Sequence, residues 1–406
     1  MSLLLAVNDF PPILGGEATL YHGVAACLPR GSAMVLAPRG RGQAAIDAGL
    51  QVEVVRHRIP AARGQASRAI RGILAGVAML RLVARRQVRF LVCGQLLSIG
   101  VPGRIVARLR GIRYALVIHG ADLTDYHDRF PWGRLIRWTV RGAEVVFVNS
   151  RFTAGLIERL LPGAARRVEV LPMGTQTARP VPAGVLDAWR GRYGIGDGPV
   201  LITVARMVGV KGHEVMLAAL DRIRDRRPDI VWLVVGDGPD RARFAARVEA
   251  LKLQRHVRLV GEVAPADLPA HYHLGTLFVQ ISRDPGRRRG IEGFGLSFLE
   301  AAAYGLPVLA GRSGGAPEAV VDRETGILVP PDDPAGIADA IDRLLADPEG
   351  LRRMGEAGRR WAAAHTWEGA AGALLAAAGI GPLDRGSLSG NSAPSCGTAP
   401  GARPPS

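Results

Sequence analysis

Cysteine is scarce in this sequence: three in 406 residues, Cys27, Cys93 and Cys396. So few, odd in number and far apart, they form neither a disulfide framework nor a zinc site, and the cytoplasm is the expected compartment. Long apolar runs are missing too. No stretch reaches the roughly 18–20 residues that span a bilayer, and Arg81 interrupts the longest candidate. The apolar opening, Met1 to Val7, lacks a basic n-region, so no signal peptide is expected. The G-x-G-x-x-G fingerprint occurs nowhere, which argues against a nicotinamide dehydrogenase. There is no nucleic-acid motif and no interleaving of aromatic with basic residues, so nucleic acid is not an expected partner. Lysine is almost absent, with 2 against 50 arginines.

What is present points to a soluble α/β protein of two domains. The chain is 48% hydrophobic with regular Gly and Pro punctuation, and its length allows two cores. Short β-rich apolar runs alternate with amphipathic helical stretches, the signature of βαβ units on parallel sheets. Strands are predicted at 3–8, 33–37, 52–56, 89–92, 114–118 and 144–148, then at 200–204, 230–235, 257–260, 276–281, 307–310 and 326–329. This gives a first Rossmann-like domain over 1–172, a Pro/Gly-rich linker over 173–198 and a second domain over 199–365. A C-terminal helix at 366–380 and a disordered Gly/Ser/Pro tail at 381–406 follow, with 333–378 reading as helical throughout. Two doubly wound domains facing each other across a cleft would bind ligands beyond the carboxyl ends of their strands.

The net charge of +16 is unevenly placed. Residues 1–172 hold 24 Arg and 10 acids, a balance of +14, and the rest of the chain carries only +2. The densest run, 56–89, has nine arginines and no acid. Within it Ile70, Ile73, Leu74, Val77 and Leu80 recur at helical spacing. One reading is a solvated helix; the sharper one is an amphipathic face that docks on anionic lipid.

The most informative segment is Glu292-Gly293-Phe294-Gly295-Leu296-Ser297-Phe298-Leu299-Glu300. One carboxylate precedes two glycines, and a second lies in the first turns of a helix. Unpaired N–H groups at such a helix start attract phosphate. Carboxylates only accept hydrogen bonds, so they suit hydroxyl-bearing rings on either side of it. That combination describes a nucleotide sugar. Arg206 and Lys211 leave a predicted strand five residues apart, at a strand-to-helix junction suited to ligand binding. Gly15 and Gly16 follow the first strand, where backbone can approach a phosphate. His119 ends a strand before Gly120; alone it would more often be structural.

Taken in order, the motifs resemble a retaining nucleotide-sugar glycosyltransferase of the GT-B fold, in glycosyltransferase family four. They are Asn8-Asp9-Phe10-Pro11-Pro12 with Gly15-Gly16, His119-Gly120, Asn149-Ser150-Arg151-Phe152-Thr153, Val204-Ala205-Arg206 with Lys211-Gly212, and Val235-Gly236-Asp237-Gly238-Pro239. Gly261-Glu262, the acidic block and Ser313-Gly314-Gly315-Ala316-Pro317-Glu318 complete the set. The opening and the Gly-Gly-Ala-Pro-Glu segment most resemble the bacterial phosphatidylinositol mannosyltransferases. The resemblance implies that Gly16, Arg206 and Lys211 meet the donor diphosphate, and that Glu292 accepts from donor-sugar hydroxyls. It places Glu300 on the ribose, the N–H groups of Gly293, Phe294, Gly295 and Leu296 on the phosphates, and His119, with Asp122 as a neighbour, beside the donor sugar. Catalytic roles thus fall to His119, Arg206, Lys211 and Glu292. The implied reaction moves a hexose, mannose as first expectation, to a hydroxyl of a lipid-linked or polysaccharide acceptor at the inner membrane face, without a cofactor. No Asp-x-Asp occurs, so no metal site is expected. Glu17, after the glycine pair, departs from the family, and Arg283 with Arg287–Arg289 forms a basic loop before Glu292.

Other readings compete. Gly311-Arg312-Ser313-Gly314-Gly315 satisfies G-x-S-x-G, so a hydrolase with Ser313, Asp347 and His365 is one alternative. A nucleotide-sugar epimerase of the same fold is a second, and a non-catalytic membrane scaffold a third. His271-x-His273 lies in an amphipathic stretch and reads as surface.

Overall fold

A computed structural model describes residues 3–58, 65–284, 286 and 290–381. The expected tail beyond 381 and the Arg287–Arg289 loop lie outside the described residues. The chain divides into two compact units. One runs to Gly174 and takes back the chain from Thr366; the other holds Thr175–His365.

The first unit is built on a seven-stranded sheet of β1 (Leu3–Ala6), β2 (Ala33–Pro38), β3 (Glu53–His57), β4 (Phe90–Cys93), β5 (Arg113–Ile118), β6 (Val145–Val148) and β7 (Val168–Val170). Its order is β3-β2-β1-β4-β5-β6-β7. The second is a six-stranded sheet of β8 (Val200–Val204), β9 (Val231–Val235), β10 (Val257–Gly261), β11 (Leu277–Gln280), β12 (Val308–Gly311) and β13 (Gly326–Val329), in the order β10-β9-β8-β11-β12-β13. Every ladder is parallel. Strands such as β1, β4 and β9 are buried along their whole length because helices cover both faces of a parallel sheet. Each Leu, Val or Phe so buried contributes about 1.5–3 kcal/mol.

The strand order reverses between β1 and β4 in one sheet and between β8 and β11 in the other. At these switch points the carboxyl ends of neighbouring strands diverge and leave room for a ligand. Asn8 and Asp9 follow β1 and Gly94 and Gln95 follow β4; Arg206 follows β8 and Ser282 follows β11. Both candidate sites are therefore set by topology.

Some expectations are corrected. β7 was not predicted: three residues between Arg167 and the loop, pairing β6 alone, give little pattern. The 173–198 stretch is more than a linker, since it carries a helix, Ala183–Tyr193, whose Trp189 and Tyr193 pack on His271. His271 is fully buried, not on the surface; its Nδ1 lies 2.8 Å from the Asp267 carbonyl and its Nε2 2.8 Å from the Tyr193 hydroxyl. The 333–378 region breaks into three helices, Pro334–Leu345, Pro348–Ala364 and Glu368–Ala377. Asp333 and Asp347 cap the first two by accepting from the Gly336 and Gly350 N–H groups, with proline at the first helical position of each.

The Arg-rich helix, Gln65–Arg85, turns a narrow stripe of Ala75, Met79 and Val83 inward. Its larger apolar residues face solvent: Ile73 is 65% exposed, and Ile70, Leu74 and Val77 are exposed as well. The helix packed beside it, Val101–Arg110, likewise exposes Ile105 and Leu109. No helix among the described residues is long and apolar enough to cross a membrane.

Candidate active site

In the second unit Lys211 closes the turn after β8, and Glu292 lies between β11 and the helix Leu296–Ala303. The Lys211 ammonium donates to Glu292 Oε2 at 2.7 Å. The same oxygen accepts from Ser282 Oγ at 2.8 Å and Gln280 Nε2 at 2.9 Å. Gln280 is itself oriented by Ser297, whose hydroxyl donates to Gln280 Oε1 at 3.1 Å. Glu292 is 6% exposed, and Gln280 and Ser282 are buried beneath it. A buried carboxylate with a cation and two neutral donors on one oxygen is fully supported and held in one orientation. Three donors already crowd Oε2, so Oε1 is the better placed oxygen for an incoming hydroxyl.

The backbone around Glu292 is equally constrained. Gly295 sits at φ +90°, and a Cβ there would lie 2.4 Å from the Phe298 ring. Gly314, at φ +59°, passes under Glu292 so closely that a Cβ would lie 2.2 Å from the Glu292 carbonyl oxygen. That carbonyl accepts from the Gly315 N–H at 2.9 Å. The Gly-Gly pair of the G-x-S-x-G segment thus supports the acidic loop. The other members of the hydrolase triad have structural tasks: Asp347 caps its helix, and His365 Nδ1 lies 2.7 Å from the Trp361 carbonyl. The hydrolase reading is set aside on these grounds.

Glu300 is the fifth residue of the helix Leu296–Ala303, which follows the Glu292 loop. Tyr272, stacked on Tyr304, donates its hydroxyl to Glu300 Oε2 at 2.8 Å. Burial raises the carboxyl's pKa, offset by that hydrogen bond and by the charge of Lys211. Gly293, Phe294, Gly295 and Leu296 are buried around the helix start, and Arg206 is exposed beyond β8. Arg283 pairs with Asp332 at 2.7 Å.

The first unit holds its own polar cluster. Gly16 opens the helix Gly16–Cys27, with Glu17 in its first turn. The Gln95 amide donates to Asp9 Oδ2 at 3.2 Å and to Glu17 Oε2 at 3.0 Å, bringing two acids together. His119 Nε2 lies 2.7 Å from the Tyr21 hydroxyl and 3.8 Å from Glu17 Oε2. Asp122 Oδ2 accepts from the Leu96 N–H at 3.2 Å. Burial and then Glu17 push the Asp9 pKa up to about 6; Asp122 is raised by the same two causes in the same order.

Lys211, Glu292, Glu300 and the glycine loop are thus brought together in one unit, and Gly16, His119 and Asp122 in the other. Sequence reasoning missed the roles of Gln280, Ser282, Ser297 and Tyr272 around the carboxylates, of Tyr21 beside His119, and of Gln95 between Asp9 and Glu17. Gln280 was the findable one, a polar residue closing the apolar strand Leu277-Phe278-Val279.

A family described as glycosyl transferases group 1 matches residues 187–361, and a glycosyl transferase 4-like domain matches 15–174. The GDP-mannose-dependent alpha-(1-6)-phosphatidylinositol monomannoside mannosyltransferase of Mycolicibacterium smegmatis is 33% identical over 366 residues, 89% of this chain and 93% of that one. Its counterpart in Mycobacterium tuberculosis H37Rv is 33% identical over 372 residues, covering 89% and 94%. Among solved structures, Anabaena HepE in complex with UDP and glucose superposes with a TM-score of 0.75 at 19% identity, covering 90% of this chain and 95% of that one. WaaG, a glycosyltransferase involved in lipopolysaccharide biosynthesis, gives 0.69 at 15%, covering 92% and 99%. These structures share the GT-B fold, and the curated relatives are transferases, with no support for an epimerase or a hydrolase. The chain belongs to the group 1 glycosyltransferases and is a glycosyltransferase of the GT-B fold.

Proposed function

We propose that the protein transfers mannose from GDP-mannose to a hydroxyl of a mannosylated phosphatidylinositol, with retention at the anomeric carbon and without a metal ion or other cofactor. The observation that carries this reading is the Lys211–Glu292 pair at the second switch point, joined to 33% identity with mannosyltransferases of that specificity. Lys211 spends one N–H on Glu292 and keeps two for phosphate oxygens. Arg206 adds a second cation, so charge growing on the departing GDP is met by fixed positive groups in place of a metal. Glu292 accepts from hydroxyls of the mannose and Glu300 from the ribose, while N–H groups of Gly293–Leu296 meet the diphosphate. In the first unit we assign Gly16 to contact with phosphate and His119, with Asp122 nearby, to contact with a sugar hydroxyl.

We assign none of the described residues as a nucleophile for double displacement: Glu292 is assigned to hydroxyls of the mannose instead. The acceptor hydroxyl attacks from the face that the phosphate leaves: its C–O bond forms as the anomeric C–O bond to phosphate breaks, and the leaving phosphate oxygen takes its proton. The protein's part is position and electrostatics. The acceptor is a lipid, and the exposed apolar residues Ile70, Ile73, Leu74 and Val77 among arginines form a surface that docks on the anionic inner leaflet.

The test is transfer of labelled mannose from GDP-mannose to phosphatidylinositol monomannoside, with and without excess chelator. Transfer is expected to persist in chelator and to fall at least about 1,000-fold in Glu292→Gln and Lys211→Ala, a loss of about 4 kcal/mol of transition-state stabilisation. Near-normal rates in either variant would overturn the site assignment. Loss on chelation restored by magnesium would overturn metal independence, and turnover only with a UDP or ADP sugar would overturn the donor.

A further inference from the structure

Tyr21 is buried in the first helix, yet its hydroxyl has two partners. It donates its proton to the Gly94 carbonyl, an atom that can only accept. The 2.7 Å contact to His119 Nε2 then leaves one arrangement, in which the ring N–H donates and the phenol oxygen accepts. The two rings meet edge to face with centroids 5.7 Å apart, so the phenol also limits rotation of the imidazole. Burial drives the Tyr21 pKa far above the ordinary value, followed by the fields of Glu17, Asp9 and Asp122, so the phenol keeps its proton. The charged and titratable groups facing the ring are Glu17, Asp9, Asp122 and Tyr21 itself.

We infer that Tyr21 is a positioning residue that holds His119 in the tautomer protonated on Nε2, leaving Nδ1 as the ring's acceptor for a hydroxyl of the transferred sugar. The proton on Nε2 follows from the geometry; the bare Nδ1 is part of the inference, and its use in catalysis rests on the mannosyltransferase reading above. A histidine free to change tautomer would present a donor at Nδ1 in part of its population, and that part would not be competent to accept from the sugar.

The experiment uses the full chain labelled with ¹⁵N-histidine and correlates ring nitrogens with ring protons at pH 7.5. Of nine histidines, the His119 signals are those lost in His119→Gln. Wild type is expected to show Nε2 protonated and Nδ1 bare, and Tyr21→Phe to show a mixture of both forms. In the same variant kcat is expected to fall about tenfold with the donor KM within about twofold. Adding Tyr21→Phe to His119→Gln should cost nothing further. A wild-type ring protonated on Nδ1, or a Tyr21→Phe spectrum identical to wild type, would overturn the assignment whether or not any sugar is turned over. An unchanged kcat in Tyr21→Phe, or a loss that adds to that of His119→Gln, would overturn the positioning role. If Tyr21→Phe does not fold, the wild-type spectrum still decides the tautomer.

Discussion

Asp9 shares one amide with Glu17, and this has a consequence for stability. Burial and the neighbouring acid hold its carboxyl at about 6 in the folded chain, against an ordinary value of 3.8. A raised carboxyl pKa means that the folded state holds the proton more tightly than the unfolded state. Stability is therefore full below about pH 4, declines as pH rises towards 6, and stays reduced above that. The full shift corresponds to about 3 kcal/mol, and partial exposure of the group lowers this to roughly 1–2 kcal/mol. Asp9→Asn removes the titration. Its unfolding free energy from urea titration should match wild type near pH 4 and exceed it by that amount above pH 7; a difference flat across the range would refute the account. Residues of this kind were only partly legible in the sequence. Glu17 stood out as an acid beside a Gly-Gly pair, but its link to Asp9 runs through Gln95, 78 positions away, which no local pattern reveals. Gln280 and Ser282 were hidden for the same reason. A polar residue at the end of an apolar strand reads as a boundary until the fold carries a carboxylate to it.

At the scale of the element, the twelve predicted strands are all present within two residues of their expected ends, and strands such as β1, β4 and β9 were legible because runs buried on both faces are apolar throughout. β7 was lost for want of length. The helix Arg151–Leu160 shows how a family motif can also be a device of local structure. Ser150 is its N-cap: its hydroxyl oxygen accepts from the Thr153 N–H at 3.0 Å, and Thr153 Oγ1 donates to Asn149 Oδ1 at 2.8 Å. Ser150 and Thr153 are buried, so water cannot replace the cap. Ser150→Ala is expected to cost about 1–2 kcal/mol, lowering Tm by roughly 3–6 °C for a unit of this size, with the donor KM unchanged. A Tm within 1 °C of wild type, roughly the effect of an ordinary exposed substitution, would show that the motif owes nothing to capping.

For the whole molecule, the sequence revealed the charge imbalance and a stripe of apolar residues at positions 70, 73, 74 and 77 of the Arg-rich helix, expected to be either solvated or a lipid-docking face. The structure turns them outward because Ala75, Met79 and Val83 already fill the inner side. Exposed Arg81, Arg85 and Arg89 border the same helix, so apolar insertion and charge attraction act on one surface. Each arginine close to an anionic bilayer adds about 1 kcal/mol, and the attraction is screened within about 10 Å at 0.1 M salt. The full chain should therefore bind vesicles containing phosphatidylinositol and lose most of that binding at about 0.5 M salt. Arg81→Glu with Arg85→Glu should weaken binding at least about 30-fold by removing two such contributions. Ile73→Ser with Leu74→Ser should weaken it at low and high salt alike, since burial of apolar area does not depend on screening. Neither pair touches Lys211 or Glu292, so transfer to a short-chain acceptor free in solution should keep its rate while transfer to vesicle-bound acceptor falls. Equal binding to neutral and anionic vesicles would remove the electrostatic half of this account, and binding untouched by the serine pair would remove the other.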